Sequence, residues 1–208
     1  MTASGSELRT KPEGSGGAMP NRRTIFLADE FYHLYNRGVD RAQIFFSEDN
    51  YRYFMRLLEG KAAQYSIRIV AFCLMPNHFH LLIRPSRDHA VSRFLNGLLG
   101  SYAQGLNAAL KRVGPLFQSR TKAVRVARDE YLAHVARYIH FNPVAAGLVA
   151  RPQDWPYSNY RAIISGQRGP SGDGMIVGGL FPAGAAYRRF VEAPQPEELP
   201  ASLKLAGS

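Results

Sequence analysis

Cysteine is nearly missing from this 208-residue chain: the one copy, Cys73, sits inside the apolar run Val70-Ala71-Phe72-Cys73-Leu74. An internal disulfide is therefore excluded, and a thiol in that company is a packing residue rather than a nucleophile. The sequence also lacks an apolar run of about 18 residues, the length a membrane-spanning helix needs. Its N-terminus is polar and glycine-rich, unlike a signal peptide, so a soluble, cytoplasmic protein with no membrane partner is expected. No G-x-x-x-x-G-K-[ST] loop and no Ser-His-Asp pattern at a nucleophile elbow occur, which leaves nucleotide hydrolysis and acyl transfer without support. There is no internal repeat. Acidic residues are few as well, with 16 Asp and Glu against 26 Lys and Arg, a net charge of +10. Such an excess favours a polyanionic partner, because each neutralised phosphate releases counterions. With no basic amphipathic helix and no lipidation signal, nucleic acid is preferred over a membrane surface.

What is present is a globular composition, 46% hydrophobic and 20% charged, enough for one domain with a real core. Residues 1–21 read as a disordered leader, 22–164 as the domain, and 165–208 as a loosely held Gly- and Pro-rich tail with one short apolar segment near Tyr187 to Val191. Within the domain, apolar alternation at Phe31 to Asn36 predicts a strand, and Ser47 or Asp49 caps a helix that runs to about Gly60. Ile67 to Leu74 and His78 to Arg84 form a hairpin around Met75-Pro76-Asn77. A helical stripe follows from Asp88 to about Arg112, with a break or kink expected at Gly97, Gly100 or Gly105. Thr121 to Ala127 is a fourth strand, Asp129 caps a helix that Pro143 helps to end, and a short helix covers Tyr160 to Ile164. This order predicts an α+β fold, an antiparallel sheet with helices packed on one face.

The chemistry concentrates in two segments. In His78-Phe79-His80 the strand alternation puts both imidazoles on one face, about 7 Å apart, where they can share an ion. On the helix over 129–142, Tyr138 and Asn142 are spaced i, i+4 and share a face. A phenol and an amide oxygen can then meet the two imidazoles. Each of these residues also has an ordinary structural role open to it: core histidines, a core tyrosine and a helix C-cap asparagine.

At these residues the chain resembles the HUH endonucleases, named for their histidine-hydrophobe-histidine motif, and within them the IS200-like single-tyrosine transposases. The nearer resemblance is to the repetitive-extragenic-palindrome (REP)-associated branch, carried also by Tyr32 to Gly38, Ile44-Phe45-Phe46, Gly114 to Arg120, Asn142 to Val149 and Trp155 to Tyr160. The resemblance implies a ferredoxin-like sheet with the histidines on a central strand. It implies a metal-dependent single-strand endonuclease and strand transferase, in which Tyr138 forms a 5′-phosphotyrosine on hairpin DNA. His78 and His80 would hold Mg²⁺ or Mn²⁺, with Asn142, where relatives carry Gln, as third ligand. His134, one turn before Tyr138, is an accessory candidate for proton transfer or phosphate contact. DNA contacts are expected from Arg37, Arg41, Lys111, Arg112, Arg120, Lys122 and Arg125, with Phe117 or Trp155 stacking on a base. The branch implies a monomer, while classical insertion-sequence relatives are dimers that exchange their tyrosine helices, so a dimer stays open. Two other readings stay open: a hairpin-binding protein of the same fold that does not cut, and an unrelated metal hydrolase with water as nucleophile.

Overall fold

Four segments with period-two patterning pair into one antiparallel sheet in a computed structural model that describes residues 25–126, 129–167 and 174–194. The strands are β1 (Phe31–Arg37), β2 (Ile67–Met75), β3 (His78–Pro85) and β4 (Lys122–Val126), in the order β2-β3-β1-β4. With α1 (Glu48–Gln64) between β1 and β2, and α2 (Ala90–Ala109) between β3 and β4, this is the ferredoxin-like βαββαβ arrangement. The two strands that carry the motif residues are central: β3 pairs with β2 and β1, and β1 with β3 and β4.

One face of the sheet meets α1 and α2. Tyr32, Leu34, Phe79, Leu81 and Ile83 point there and pack on Phe54, Leu58, Phe94, Leu98 and Tyr102 in the larger core. The close approach of the two helices needs Gly105, where an added Cβ would lie 2.7 Å from the Tyr53 hydroxyl. Gly97, beside Tyr65 and Lys61, and Gly105 serve this packing, Gly100 faces open space, and none of the three makes a kink; the helix is continuous from Ala90 to Ala109.

The opposite face is covered too, beyond the one-sided layering expected, by α3 (Asp129–Ala145), α4 (Tyr160–Ile164), α5 (Gly174–Gly179) and α6 (Gly184–Glu192). A bulge at Val70 lets Val70 and Ala71 both join this second core, with Leu132, Val135 and Ile139 of α3. Pro143 does not end α3, which continues to Ala145. The stop comes from Gly147 at φ 68°: Leu148 N–H donates to Pro143 O and Gly147 N–H to Val144 O, the paired bonds of a Schellman C-cap. Within the segment expected as a loosely held tail, the described residues 174–194 are packed on the domain. Tyr187 and Val191 of α6 are fully buried against α3, and Arg137 of α3 donates to the carbonyls of Val191 and Ala193. The leader proposed for residues 1–21 lies outside the described residues.

Candidate functional site

His78 and His80 alternate with Phe79 and Leu81, so the core demand of those two residues turns both imidazoles to the α3 side. Strand register sets their neighbours. His78 faces Arg37 and His80 faces Tyr35 on β1, and Tyr35 in turn faces Lys122 on β4. His33, two residues before Tyr35 on the same face, is the diagonal neighbour of His80, with Nε2 3.0 Å from His80 Nδ1. All three imidazoles are held neutral by burial: it pushes His33 and His78 down to about 4 and His80 well below its usual value.

Hydrogen bonds then decide which nitrogens are free. Asn77 Nδ2 donates to Arg41 O at 3.2 Å, which turns its Oδ1 to His78 Nδ1 at 2.7 Å. An amide oxygen only accepts, so the His78 proton is on Nδ1. The lone pair is left on Nε2, which is buried and has no hydrogen-bond partner. His80 Nε2 has only the 3.4 Å approach of the Asn142 amide.

That amide arrives on α3. Tyr138 and Asn142, one turn apart, look toward the sheet, with the Tyr138 ring 5.4 Å from that of His80 and 6.2 Å from that of His33, both edge-on. The phenol is half-buried; burial raises its pKa, the hydrogen bond to Asn142 opposes the rise and Tyr35 adds to it. The back of α3 is fastened by a second polar network. Asn159 bridges the β2 bulge, donating to Val70 O at 3.1 Å and accepting from Phe72 N–H at 2.8 Å. With that amide so oriented, His140 Nε2 must donate to Asn159 Oδ1 (2.9 Å), and its Nδ1 accepts from the Tyr187 hydroxyl (2.7 Å).

The expected group is a divalent cation, and the donors fit one. Among the described residues no three His, Cys, Asp or Glu side chains are grouped to hold an ion. The set here is instead the unpartnered Nε2 of His78, the Nε2 of His80 that meets only the Asn142 amide, and that amide, which presents its oxygen at the same point after a half-turn. Fewer than four protein donors leave coordination positions open for phosphate oxygens, the requirement for a catalytic rather than a structural ion.

The other sequence candidates divide. His134 packs edge-on against Phe190 of α6, with ring centroids 5.2 Å apart, and so belongs to the α3–α6 contact. Phe117 and Trp155 are partly buried: Phe117 meets Phe79 edge-on, and Trp155 Nε1 donates to Leu74 O at 3.0 Å. Arg37 and Arg41 lie at the His78 end of the sheet. Lys111 and Arg112 follow the end of α2, in the loop that returns to pair Phe117 with Gly38, while Arg120 lies just before β4 and Lys122 opens it. Arg125 stands apart, registered with core-facing Tyr32 and paired to Glu30 at 2.5 and 3.1 Å. His33, Asn77 and the His140–Asn159 network carry the site without having been singled out from the sequence. The signal for His33 was there: it alternates with Tyr32 and Leu34 as His78 and His80 alternate with Phe79 and Leu81.

A ferredoxin-like sheet that presents an H-x-H pair to a helix-borne tyrosine defines the single-tyrosine HUH class. The sequence model of the family described as "Transposase IS200 like" matches residues 28–142, more than half of the chain, and the chain belongs to that family. It is 26% identical over 159 residues to a candidate REP-associated tyrosine transposase of Haemophilus influenzae, covering 72% of this chain and 90% of that one. Its fold is that of a REP-associated tyrosine transposase solved bound to a REP hairpin, with a TM-score of 0.62 at 18% identity, covering 74% of this chain and 90% of the other. Among the described residues no helix is long and apolar enough to cross a membrane.

Proposed function

We propose that the protein is a metal-dependent single-strand DNA endonuclease and strand transferase that acts on hairpin DNA, with Tyr138 as nucleophile. The observation that carries this reading is the meeting of two buried histidines, one with an unpartnered Nε2 and the other with Nε2 toward Asn142, with a half-buried phenol on the facing helix. Neither a core histidine nor a core tyrosine requires that meeting. The hairpin substrate is taken from the REP-bound structure of similar fold and from the REP-associated relative.

In this reading the Tyr138 oxygen attacks the scissile phosphorus and the P–O3′ bond breaks. The phenol proton goes to solvent, and the departing 3′ oxygen takes one up. The product is a 5′-phosphotyrosine and a free 3′-hydroxyl, so the bond energy is kept for rejoining by another 3′-hydroxyl without a nucleotide cofactor. His78, His80 and Asn142 would hold Mg²⁺ or Mn²⁺, which supplies Lewis-acid stabilisation of the charge on the phosphoryl oxygens. Arg37 and Lys122, registered beside His78 and Tyr35, lie next to the site on its own face and extend it toward the phosphate backbone. Arg41, Lys111, Arg112 and Arg120 continue that basic rim, and the protein acts as a monomer.

The test is cleavage of an end-labelled hairpin oligonucleotide carrying a single-stranded flank. Cutting that needs Mg²⁺ or Mn²⁺, stops with chelator and leaves a 3′-hydroxyl supports the reading. Cutting that ignores both chelator and His78→Ala overturns its metal assignment.

A further inference from the structure

Each of the two ion-facing histidines has one partner on the ring nitrogen that points away from the ion. A neutral imidazole has a single proton, and the hydrogen bond made by one nitrogen decides whether the other offers a lone pair. For His78 the partner is Asn77, whose own orientation is set by the Arg41 carbonyl. For His80 it is His33, at 3.0 Å. Asn142 Nδ2 is a donor, so at 3.4 Å from His80 Nε2 it meets a lone pair. The His80 proton is then on Nδ1 and His33 Nε2 accepts it. This leaves the His33 proton on Nδ1, which is buried and has no partner. An orphaned buried donor is unfavourable, because it loses its bond to water and gains none in return. A leucine or phenylalanine between Tyr32 and Leu34 would carry no such cost, so packing does not account for a histidine there.

We propose that His33 and Asn77 are positioning residues that hold the Nδ1 protons of His80 and His78, keeping both Nε2 lone pairs turned to the ion. The proposal rests on the metal reading given above and adds the two residues through which that site is pre-set. Outer partners of this kind typically change metal affinity by about 10- to 100-fold when removed.

Two measurements on the full chain test it. The first is ¹⁵N NMR of the imidazole tautomers in the unsubstituted, metal-free protein. His78 and His80 are expected as Nδ1–H tautomers with unprotonated Nε2. An Nε2–H tautomer at either one overturns the proposal, with no variant needed. The second is Mn²⁺ affinity, read by electron paramagnetic resonance of the free ion. His33→Phe removes the acceptor and is expected to weaken Mn²⁺ binding by about 10- to 100-fold. His33→Gln keeps an acceptor and is expected within a few-fold of the unsubstituted protein, while both variants bind the hairpin. If His80→Ala abolishes Mn²⁺ binding and His33→Phe leaves it unchanged, His33 is structural and only the positioning role fails. If His80→Ala itself leaves Mn²⁺ binding unchanged, the metal reading fails with it.

Discussion

In the proposed reaction Tyr138 carries the largest demand of any residue. Its phenol is raised by burial above an ordinary value at which only about one part in a thousand is ionised at neutral pH. Single-turnover cleavage is therefore expected to climb with a slope of about one in log rate from about pH 6 to 9. His33 and His78, already pushed down to about 4, add no inflection in that range. A plateau near pH 7 would assign the titration to another group. Tyr138→Phe deletes one hydroxyl and no charge, so hairpin affinity should hold within a few-fold while cleavage disappears. Should cutting persist, Tyr131, 44% exposed two turns earlier on α3, is the next phenol to test. His78→Ala and His80→Ala should abolish Mg²⁺- or Mn²⁺-dependent cleavage in the same assay, with far less effect on binding. At this scale the sequence was informative where spacing alone decides geometry: His78 with His80 and Tyr138 with Asn142 are both set by the period of one element. His33 escaped because its partner is on another strand, and no local pattern states which strands are neighbours or in what register.

Elements tell the same story at longer range. The four strands and the α1, α2 and α4 segments were legible from apolar periodicity. The course of α3 past Pro143 was not, because the stop depends on Gly147 reaching a left-handed conformation five residues after Asn142. Gly147→Ala is expected to cost about 1–2 kcal/mol, visible as a lower Tm with the site intact. Docking of α6 was hidden for a different reason: a Gly- and Pro-rich stretch looks loose until its few apolar residues find a complementary face. Removing residues 174 onward takes Tyr187, Val191 and Val177 from the second core and strips partners from Arg137 and His140. Burial of three such side chains is worth about 5 kcal/mol, so Tm should fall by roughly 10–20 °C. His140 also gives the stability a pH dependence. Burial lowers it from 6.5 to about 4, so the unfolded chain takes up the proton first, and this contribution is complete above pH 6.5. It is lost as pH falls toward 4, by about 3 kcal/mol in all, and His140→Gln should make that part of the stability curve shallower without flattening it, since burial also lowers His33, His78 and His80.

Across the whole molecule, the net charge of +10 and the basic rim at the His78 end separate two properties that the site residues alone do not. In the proposed reading hairpin binding rests on phosphate contacts, so raising salt should weaken it steeply and by the same slope in the unsubstituted protein and in His78→Ala. A slope that changes with the histidine would mean that the site supplies much of the binding. Cleavage, as proposed, rests instead on the sheet holding two imidazoles opposite one phenol. That claim is tested most directly by incubating the protein with a single-stranded-flanked hairpin and Mg²⁺ or Mn²⁺, then looking for a protein–DNA band that survives denaturation. The band is expected with the unsubstituted protein, with the DNA 5′-phosphate mapped to Tyr138, and is expected to be absent from Tyr138→Phe. A band of undiminished strength in Tyr138→Phe, or cutting with no covalent species at all, would contradict the assignment of Tyr138 as nucleophile.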